Sequence, residues 1–544
     1  MARWRSPKWS LIGHLIKLQK KGNLKECKNY RGITLLSLKV LNRILLRRLL
    51  KAVDEKLREQ QAGFRKDRLC TDQIAALWII IEQSLEWNTS LFLNFVDFEK
   101  AFDSLDWEVL WELMAHYGIP QKFINIIRNS YNNMQCRVIH EGKLTESFDV
   151  KTGVKQGCLF SSSWLLITSW ESTEGKRNGI QWTMWQQLED LDLTDDIALI
   201  SSTQQQMQEK TSLLAETSIK LGLRPNENKT KVMKINVKRK QPIKIKDTNL
   251  EEVEEFTYLG SIVNIEGGTD ADVKNRINKA RVIFNILGKA WSAKNISRGT
   301  KMKIFNSNVK CVLLYEAETR RTTKVMLSKI QRFINYCLRK IMNIRWFDKV
   351  RNEDLWQRAK NTHIKKRKWA WIGHTLRKSR GSITRQALKW NLQGQKSRGR
   401  PRNTGCRDTE SELKEQGHNW NSAENWGQIE LDVKGHWEVS CNWVYNVLPF
   451  SKSSAISPNK LLQIISLTFI ERGVFHTWYI QFSPFLIATF GYLTRPAQPV
   501  NKDVVPRSEN NISIPRGPSE CCQHQHICLI LIYIYICNKH PSMG

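Results

Sequence analysis

The sequence predicts an α+β fold, and three observations carry that expectation. Leu91-Phe92-Leu93-Asn94-Phe95-Val96 is an apolar run of strand length that ends on Asp97, the pattern of a fully buried strand. Cys136 to Val150 reads as two strands joined at Glu141-Gly142. Beyond about residue 265 the apolar positions switch to helical spacing. Strands and helices mix in the middle of the chain and helices take over afterwards, as an α+β architecture requires.

The elements follow in order. Residues 1 to about 75 are basic and mixed, with Lys17, Lys20, Lys21, Arg31, Arg65, Lys66 and Arg68 around an apolar helical stretch from Leu38 to Val53. After the 91–96 strand, Val109, Leu110, Leu113 and Met114 fall at helical spacing behind Asp106, a candidate N-cap. Gly118 and Pro120 supply the stop and the next start. Asp195-Asp196 stands between two apolar arms, Leu191-Asp192-Leu193 and Ile197-Ala198-Leu199-Ile200, which suggests a hairpin with carboxylates at its tip.

In the helical part, Val273, Ile277, Ala280, Phe284, Leu287 and Trp291 draw one apolar stripe. Met326, Ile330, Phe333, Cys337 and Ile341 draw a second. Lys274, Arg276, Lys279, Lys329, Arg332 and Arg339 are expected on the outer faces. Residues 361–402 are strongly basic, including Lys365-Lys366-Arg367-Lys368 and Arg398-Gly399-Arg400-Pro401-Arg402. From about 441 the charge thins, periodicity is lost, and Pro496, Pro499, Pro506, Pro515 and Pro518 break the chain. An irregular tail is expected there.

Composition bounds the function. A chain of 544 residues with 41% hydrophobic and 25% charged residues can bury cores in about three or four domains. Lys plus Arg (85) exceeds Asp plus Glu (52), a net charge of +33. That balance argues against a neutral metabolic enzyme and for a polyanionic partner. The N-terminus MARWRSPKWS has no apolar core of a signal peptide, and the 12 cysteines are scattered. A nuclear or cytoplasmic protein with reduced thiols is therefore expected, not a secreted one. No apolar run reaches 18 residues, which excludes a membrane span on length.

Asp97 and the Asp195-Asp196 pair carry the chemistry. Each alone has an ordinary explanation, since aspartate is a normal turn and cap residue. Together, on neighbouring strands, they could hold the two divalent cations that phosphoryl transfer needs about 3.5–4 Å apart. Mg²⁺ takes hard oxygen ligands and keeps several waters, so two or three carboxylates suffice. Gly153-Val154-Lys155-Gln156-Gly157-Cys158 supplies glycines where backbone could approach a template or nucleotide closely.

The order of these segments resembles the reverse transcriptase of LINE-type (non-LTR) retrotransposons, from about residue 9 to about 436. The matching stretches begin with Leu15 to Lys21, Asn29 to Ser37 and Gln61-Ala62-Gly63-Phe64-Arg65-Lys66. Val96-Asp97 to Asp103, Gly153 to Cys158 and Thr194-Asp195-Asp196 follow, then Gly222-Leu223 to Lys231 and Phe256 to Gly260.

The resemblance implies a right-hand polymerase: fingers over 1–75, palm over 76–245, a primer-grip hairpin and helical thumb over 246–345, and a basic helical extension over 346–440. By position, Asp97, Asp195 and Asp196 are similar to the family's Mg²⁺-binding triad. Phe102 is similar to the aromatic gate that excludes a ribose 2′-hydroxyl, a packed core phenylalanine being the alternative. Lys17 and Arg31 resemble the fingers residues that hold the triphosphate. Gly153, Gln156 and Gly157 match the loop beside template and nucleotide. Lys229 matches a palm lysine that protonates the leaving pyrophosphate, and Phe256, Tyr258 and Gly260 match the primer-holding hairpin.

The implied partners are an RNA template, a DNA primer and a dNTP. Arg398 and Arg400 resemble the core of an AT-hook, which would add duplex DNA. Trp369 and Trp371 are expected to pack between helices, stacking on bases being the alternative. The sequence departs from the family pattern where Leu193-Thr194 replaces an aromatic residue and Ala, and where Ser161-Ser162-Ser163-Trp164 replaces Ser-Pro. The upstream endonuclease domain of full-length members is expected to be missing, as in a truncated copy. Two readings stand side by side: an RNA-directed DNA polymerase, and a catalytically silent nucleic-acid-binding remnant.

Overall fold

In the computed structural model the strand Leu91–Val96 lies at the centre of a five-stranded sheet. The structure describes residues 12–422 except 20–22, 24, 27–28, 36–43, 46–47, 50–53, 55–56, 64, 66, 141, 156–176, 239–240, 322, 360–363, 393–401, 403 and 416–418, together with two strands between 465 and 480. The central strand runs antiparallel to Lys231–Ile235 on one side and to Asp196–Ser201 on the other. Asp190–Leu193 and Glu251–Glu252 complete the two edges.

Every residue of the central strand is buried because both faces are covered. Its side chains alternate between two cores. Phe92 and Val96 pack with Leu110, Met114, Ile124 and Leu214, while Leu91, Leu93 and Phe95 pack with Ile74, Leu77, Trp78 and Ile81. The polar exception, Asn94, donates from Nδ2 to the Thr211 hydroxyl at 2.9 Å on the helix Gln204–Lys220. As expected, Asp106 caps the helix Trp107–His116, its carboxylate accepting from the N–H groups of Glu108 and Val109. Gly118 turns the chain at φ +72° before the helix Gln121–Tyr131.

A second sheet joins two distant stretches. Ile12–Gln19 pairs antiparallel with Tyr30–Leu35 and parallel with Gln135–His140, which in turn pairs with Lys143–Leu144 and Phe148–Asp149. The 135–149 segment forms three strands where two were expected, the return arm being split in two, and it pairs with the N-terminal strands, whereas the sequence reading grouped it with the palm. A parallel partner must come from far along the chain, so local pattern gives no sign of it.

Downstream, the second expected stripe is buried along the helix Lys324–Met342; of the first, Val273, Ala280 and Phe284 are buried on the helix Asp270–Ile286, Ile277 is half-buried, and Leu287 and Trp291 are buried just beyond that helix's end. One expectation is corrected: Arg276 is not on an outer face but fully buried. Helical spacing assigns a charge outward by default, and here two buried partners, described below, hold it inside.

The basic extension also packs. Trp371, Ile372 and Leu376 join the core of the helix Cys70–Glu86, and Trp371 donates its indole N–H to Asp72 at 3.3 Å. Lys368 is buried facing Glu412 at 3.6 Å, so the 365–368 run is not wholly a solvated one. Within the tail, Ile465–Glu471 and Val474–Ile480 pair as a two-stranded sheet where no regular element was expected. Their β-branched and aromatic residues favour strands even without clean alternation. Among the described residues no helix is long and apolar enough to cross a membrane.

Candidate functional site

The register of the central sheet brings the chemistry-bearing carboxylates to one end. Val96 pairs with Ile197 as the last pair of that ladder, so Asp97 and Asp196 are the next residues outward on the two strands. Side chains alternate, so Asp97 returns to the face of Phe95 and Asp196 to the face of Ala198. Phe95 and Ala198 share one core, and the two carboxylates therefore share a face.

Asp195 occupies the turn between Asp190–Leu193 and Asp196–Ser201. Its neighbour Thr194 has φ +59°, a region that β-branched residues rarely enter. The Thr194 hydroxyl lies 2.6 Å from the Leu193 carbonyl and 3.0 Å from Asp195 Oδ1. Its one proton can serve only one of them. The Thr194 N–H donates to Gln61 Oε1 at 3.3 Å, which also accepts from Gly63 N–H at 2.8 Å. Ala62 N–H donates to the Asp192 carbonyl at 2.9 Å, so the Gln61-Ala62-Gly63 stretch braces the hairpin directly.

Lys229 reaches the same end. Segment 221–230 runs along 97–106, with Glu99 N–H donating to the Arg224 carbonyl at 2.8 Å and Asn226 N–H to the Asp97 carbonyl at 2.7 Å. This places Lys229 Nζ 3.1 Å from Asp97 Oδ2. The donor chemistry suits a hard divalent cation, since three carboxylates lie toward one end of one sheet. As placed, however, no group of three or more His, Cys, Asp or Glu side chains converges on a metal position among the described residues. Side-chain rotation and withdrawal of the Lys229 ammonium would be needed to gather them.

Other expected site residues divide. Gly153 docks on the chain just after Asp97: its N–H donates to the Leu105 carbonyl at 2.8 Å, and Val154 N–H donates to the Phe102 carbonyl at 2.6 Å. Glycine is required there, because φ is +82° and a Cβ would meet Asp103 backbone at 2.6 Å. Phe102 is half-buried and packs against the core, so its ring is held beside this loop.

Phe256 and Tyr258 lie on a hairpin over 255–264 whose tip is Leu259-Gly260. Phe256 stacks on Phe95 at 4.2 Å, and the Tyr258 hydroxyl donates to the Leu191 carbonyl at 3.0 Å. Burial and the nearby Asp192 push the Tyr258 hydroxyl well above its usual range. The hairpin therefore sits on the carboxylate-bearing face.

Lys17 and Arg31 are not brought together. Lys17 pairs with Gly32, and Leu18 pairs with Arg31. Cross-strand partners share a face, so the two cations point to opposite faces of the ribbon. Lys17 lies over the Tyr30 ring instead, 5.5 Å from its centroid. Gln156, Gly157, Arg398 and Arg400 lie outside the described residues.

Two supporting networks escaped the sequence reading. Arg58 donates to Asp190 at 2.6 Å and to Asp192 at 3.4 Å. On the other side, Lys210 pairs with Glu189 at 2.6 Å and donates to the Ile200 carbonyl at 2.6 Å. Together they fix both arms of the carboxylate hairpin. Burial, reinforced by Asp190, raises the Asp192 carboxyl well above its usual range. The Asp190-Leu191-Asp192-Leu193 alternation was the available signal, a polar face on an edge strand.

The second network holds the 255–264 hairpin. Asp272 accepts from Ile262 N–H at 3.1 Å and from Arg320 Nε at 2.7 Å. Arg276 donates to the Gly260 carbonyl and lies over the Tyr315 ring, 4.2 Å from its centroid. Tyr315 donates to the Leu259 carbonyl at 3.0 Å.

Residues 18–263 match the family model described as reverse transcriptase (RNA-dependent DNA polymerase). The chain is 30% identical over 135 residues to the Pol polyprotein of the type-2 retrotransposable element R2DM of Drosophila melanogaster, covering 24% of this chain and 13% of that protein. It is 28% identical over 146 residues to the 149 kDa protein of transposon TX1 of Xenopus laevis, covering 26% and 11%. Residues 18–263 are a reverse transcriptase domain of the LINE type. The described part of this domain is α+β, with its carboxylates at the end of a central sheet. The chain spans about an eighth or less of the length of those two relatives. Residues 283–315 match a domain of unknown function. Solved apo telomerase from Candida tropicalis superposes loosely, at TM-score 0.37 and 14% identity over 72% of this chain and 70% of that one.

Proposed function

We propose that this chain copies RNA into DNA: the 3′-hydroxyl of a primer attacks the α-phosphate of a dNTP, and pyrophosphate leaves. The observation that carries the reading is the register that sets Asp97 beside Asp196 on one face, with Asp195 in the adjoining turn. These three carboxylates would hold divalent cations, with Mg²⁺ the one their hard oxygens suit. When bound, such ions activate the attacking hydroxyl and neutralise charge on the leaving phosphates.

The chain's own residues do the rest. Lys229, once released from its pair with Asp97, would donate a proton to the leaving pyrophosphate. Phe102, whose carbonyl accepts from Val154 N–H, would crowd a ribose 2′-hydroxyl. The 255–264 hairpin, seated on the carboxylate face through Phe256 and Tyr258, would hold the primer end. Lys17 or Arg31, but not both from one face, would contact the triphosphate. A further role for Arg398 and Arg400 on duplex DNA is part of the same proposal.

The second reading, a binding protein without turnover, draws on the Lys229–Asp97 pair and the Thr194 contact to Asp195, which engage two of the carboxylates. Primer extension on an RNA template separates the two. Extension should require Mg²⁺ and should be lost in Asp195→Ala. Extension that survives Asp195→Ala would refute the assignment of these carboxylates. Absence of extension by the unaltered chain, with oligonucleotide binding intact, would establish the second reading.

A further inference from the structure

The helix Lys324–Met342 ends at Asn343, whose φ is +55°, and the chain then makes one 3-10 turn, Trp346–Asp348. Trp346 is 91% exposed and Phe347 53%. Large aromatic side chains are seldom left this bare. The two rings meet edge to face at 5.9 Å, and the Arg345 guanidinium lies 5.8 Å from the Phe347 centroid. Asp348 closes the turn by accepting the Arg345 N–H at 2.6 Å. The rings therefore project from a braced knuckle.

Charge selects what could cover them. From 339 to 354 the chain carries Arg339, Lys340, Arg345, Lys349 and Arg351 against Asp348, Glu353 and Asp354, a basic excess, and residues 345–349 are all exposed. Two rings offer far less area than the roughly 1,200 Å² a stable protein partner would bury. A single 3-10 turn is also too short to lie along a membrane surface as an amphipathic helix does. An excess of cations around bare aromatic faces matches a strand of phosphates carrying unpaired bases. Trp185 and Met184 make the contrast: each is 81% exposed, but the 180–188 hairpin that carries them has no charged residue.

We propose that Trp346 and Phe347 form a stacking platform for unpaired bases of a nucleic-acid strand whose phosphates are held by Arg345, Lys349 and Arg351. The platform needs neither metal nor dNTP, so it stands apart from the catalytic reading.

The test is fluorescence anisotropy of labelled rU15 and dT15 with the full chain, in chelator and without dNTP. Stacking contributes about 1–3 kcal/mol per base, so Trp346→Ala with Phe347→Ala should weaken both oligonucleotides about 5- to 150-fold per base lost. The slope of log affinity against log salt should stay the same. Arg345→Ala with Lys349→Ala should reduce that slope by about 0.7 per phosphate contact on single strands. Trp346→Phe should retain most of the binding, which separates stacking from a folding defect. Trp185→Ala should bind like the unaltered chain, and because the assay contains neither metal nor dNTP, failure of the catalytic reading leaves this test intact.

Binding within twofold of the unaltered chain after loss of both rings would overturn the proposal. So would an equal loss in Trp185→Ala. Ring-dependent binding to phosphatidylserine vesicles with none to either oligonucleotide would assign the knuckle to a membrane surface instead.

Discussion

Asp272→Asn should release the 255–264 hairpin. The Asp272 carboxylate is fully buried between two arginines that are buried as well, Arg276 at 3.8 Å and Arg320 at 2.7 Å. Asparagine keeps an acceptor for Ile262 N–H but removes the charge, leaving two guanidinium groups facing each other in the interior. Breaking a buried ion cluster by removing one partner costs about 3–5 kcal/mol.

The loss should be local first, because Arg276 also holds the Gly260 carbonyl and stacks on Tyr315, which holds Leu259. Hydrogen–deuterium exchange read by mass spectrometry should show amides of 255–264 and 270–286 exchanging about a hundred- to several-thousandfold faster, at roughly tenfold per 1.4 kcal/mol. An effect below about 1 kcal/mol, or acceleration spread evenly over the chain, would refute the reasoning. Replacing all three charges together, Asp272→Leu with Arg276→Met and Arg320→Met, should recover much of the loss, since nothing charged then stays buried.

Two further outcomes follow from the site and its supports. Lys229 is 57% exposed and Asp97 15%, so their pair contributes up to about 1 kcal/mol. Lys229→Met should then tighten terbium binding, titrated by luminescence, by up to about fivefold, and Asp97→Asn should weaken it; unchanged or weaker binding in Lys229→Met would count against competition between ammonium and metal. Burial raises the Glu82 carboxyl from 4.5 to about 7, although it accepts Gly405 N–H at 2.8 Å. The folded chain keeps a proton there that the unfolded chain gives up, so this group's share of stability is full below about pH 4.5 and falls as pH rises through 7. Glu82→Gln should therefore stabilise more at pH 8 than at pH 4 in urea titrations, and an equal effect at both would contradict the assignment.

The parts that were legible in the sequence are those written in local periodicity. The 91–96 strand, the 190–201 hairpin, the Asp106 cap and both helical stripes needed only neighbours within one element. Their order along the chain also carried the resemblance to reverse transcriptases, and the face shared by Asp97 and Asp196 follows from period-two alternation once the pairing is known.

What was hidden depends on partners far away or on register. Arg58 gives no sign of lying against Asp190 and Asp192, 132 and 134 residues later. Arg276 looks like any exposed helical charge until Asp272, the Gly260 carbonyl and the Tyr315 ring close around it. Lys17 and Arg31 look like partners, and a single step of register sends them to opposite faces.

The strand Ile12–Gln19 has one neighbour that follows it within about twenty residues and another, Gln135–His140, that lies more than a hundred residues further on. On a ribosome adding about 5–20 residues each second, that second neighbour emerges roughly 6 to 24 seconds after the first strand. Throughout that interval a two-stranded ribbon carries a row of unsatisfied backbone donors and acceptors along its open side. Chains growing side by side on one message would display the same open ribbon to each other, so crowded translation exposes this protein to mispairing along that edge.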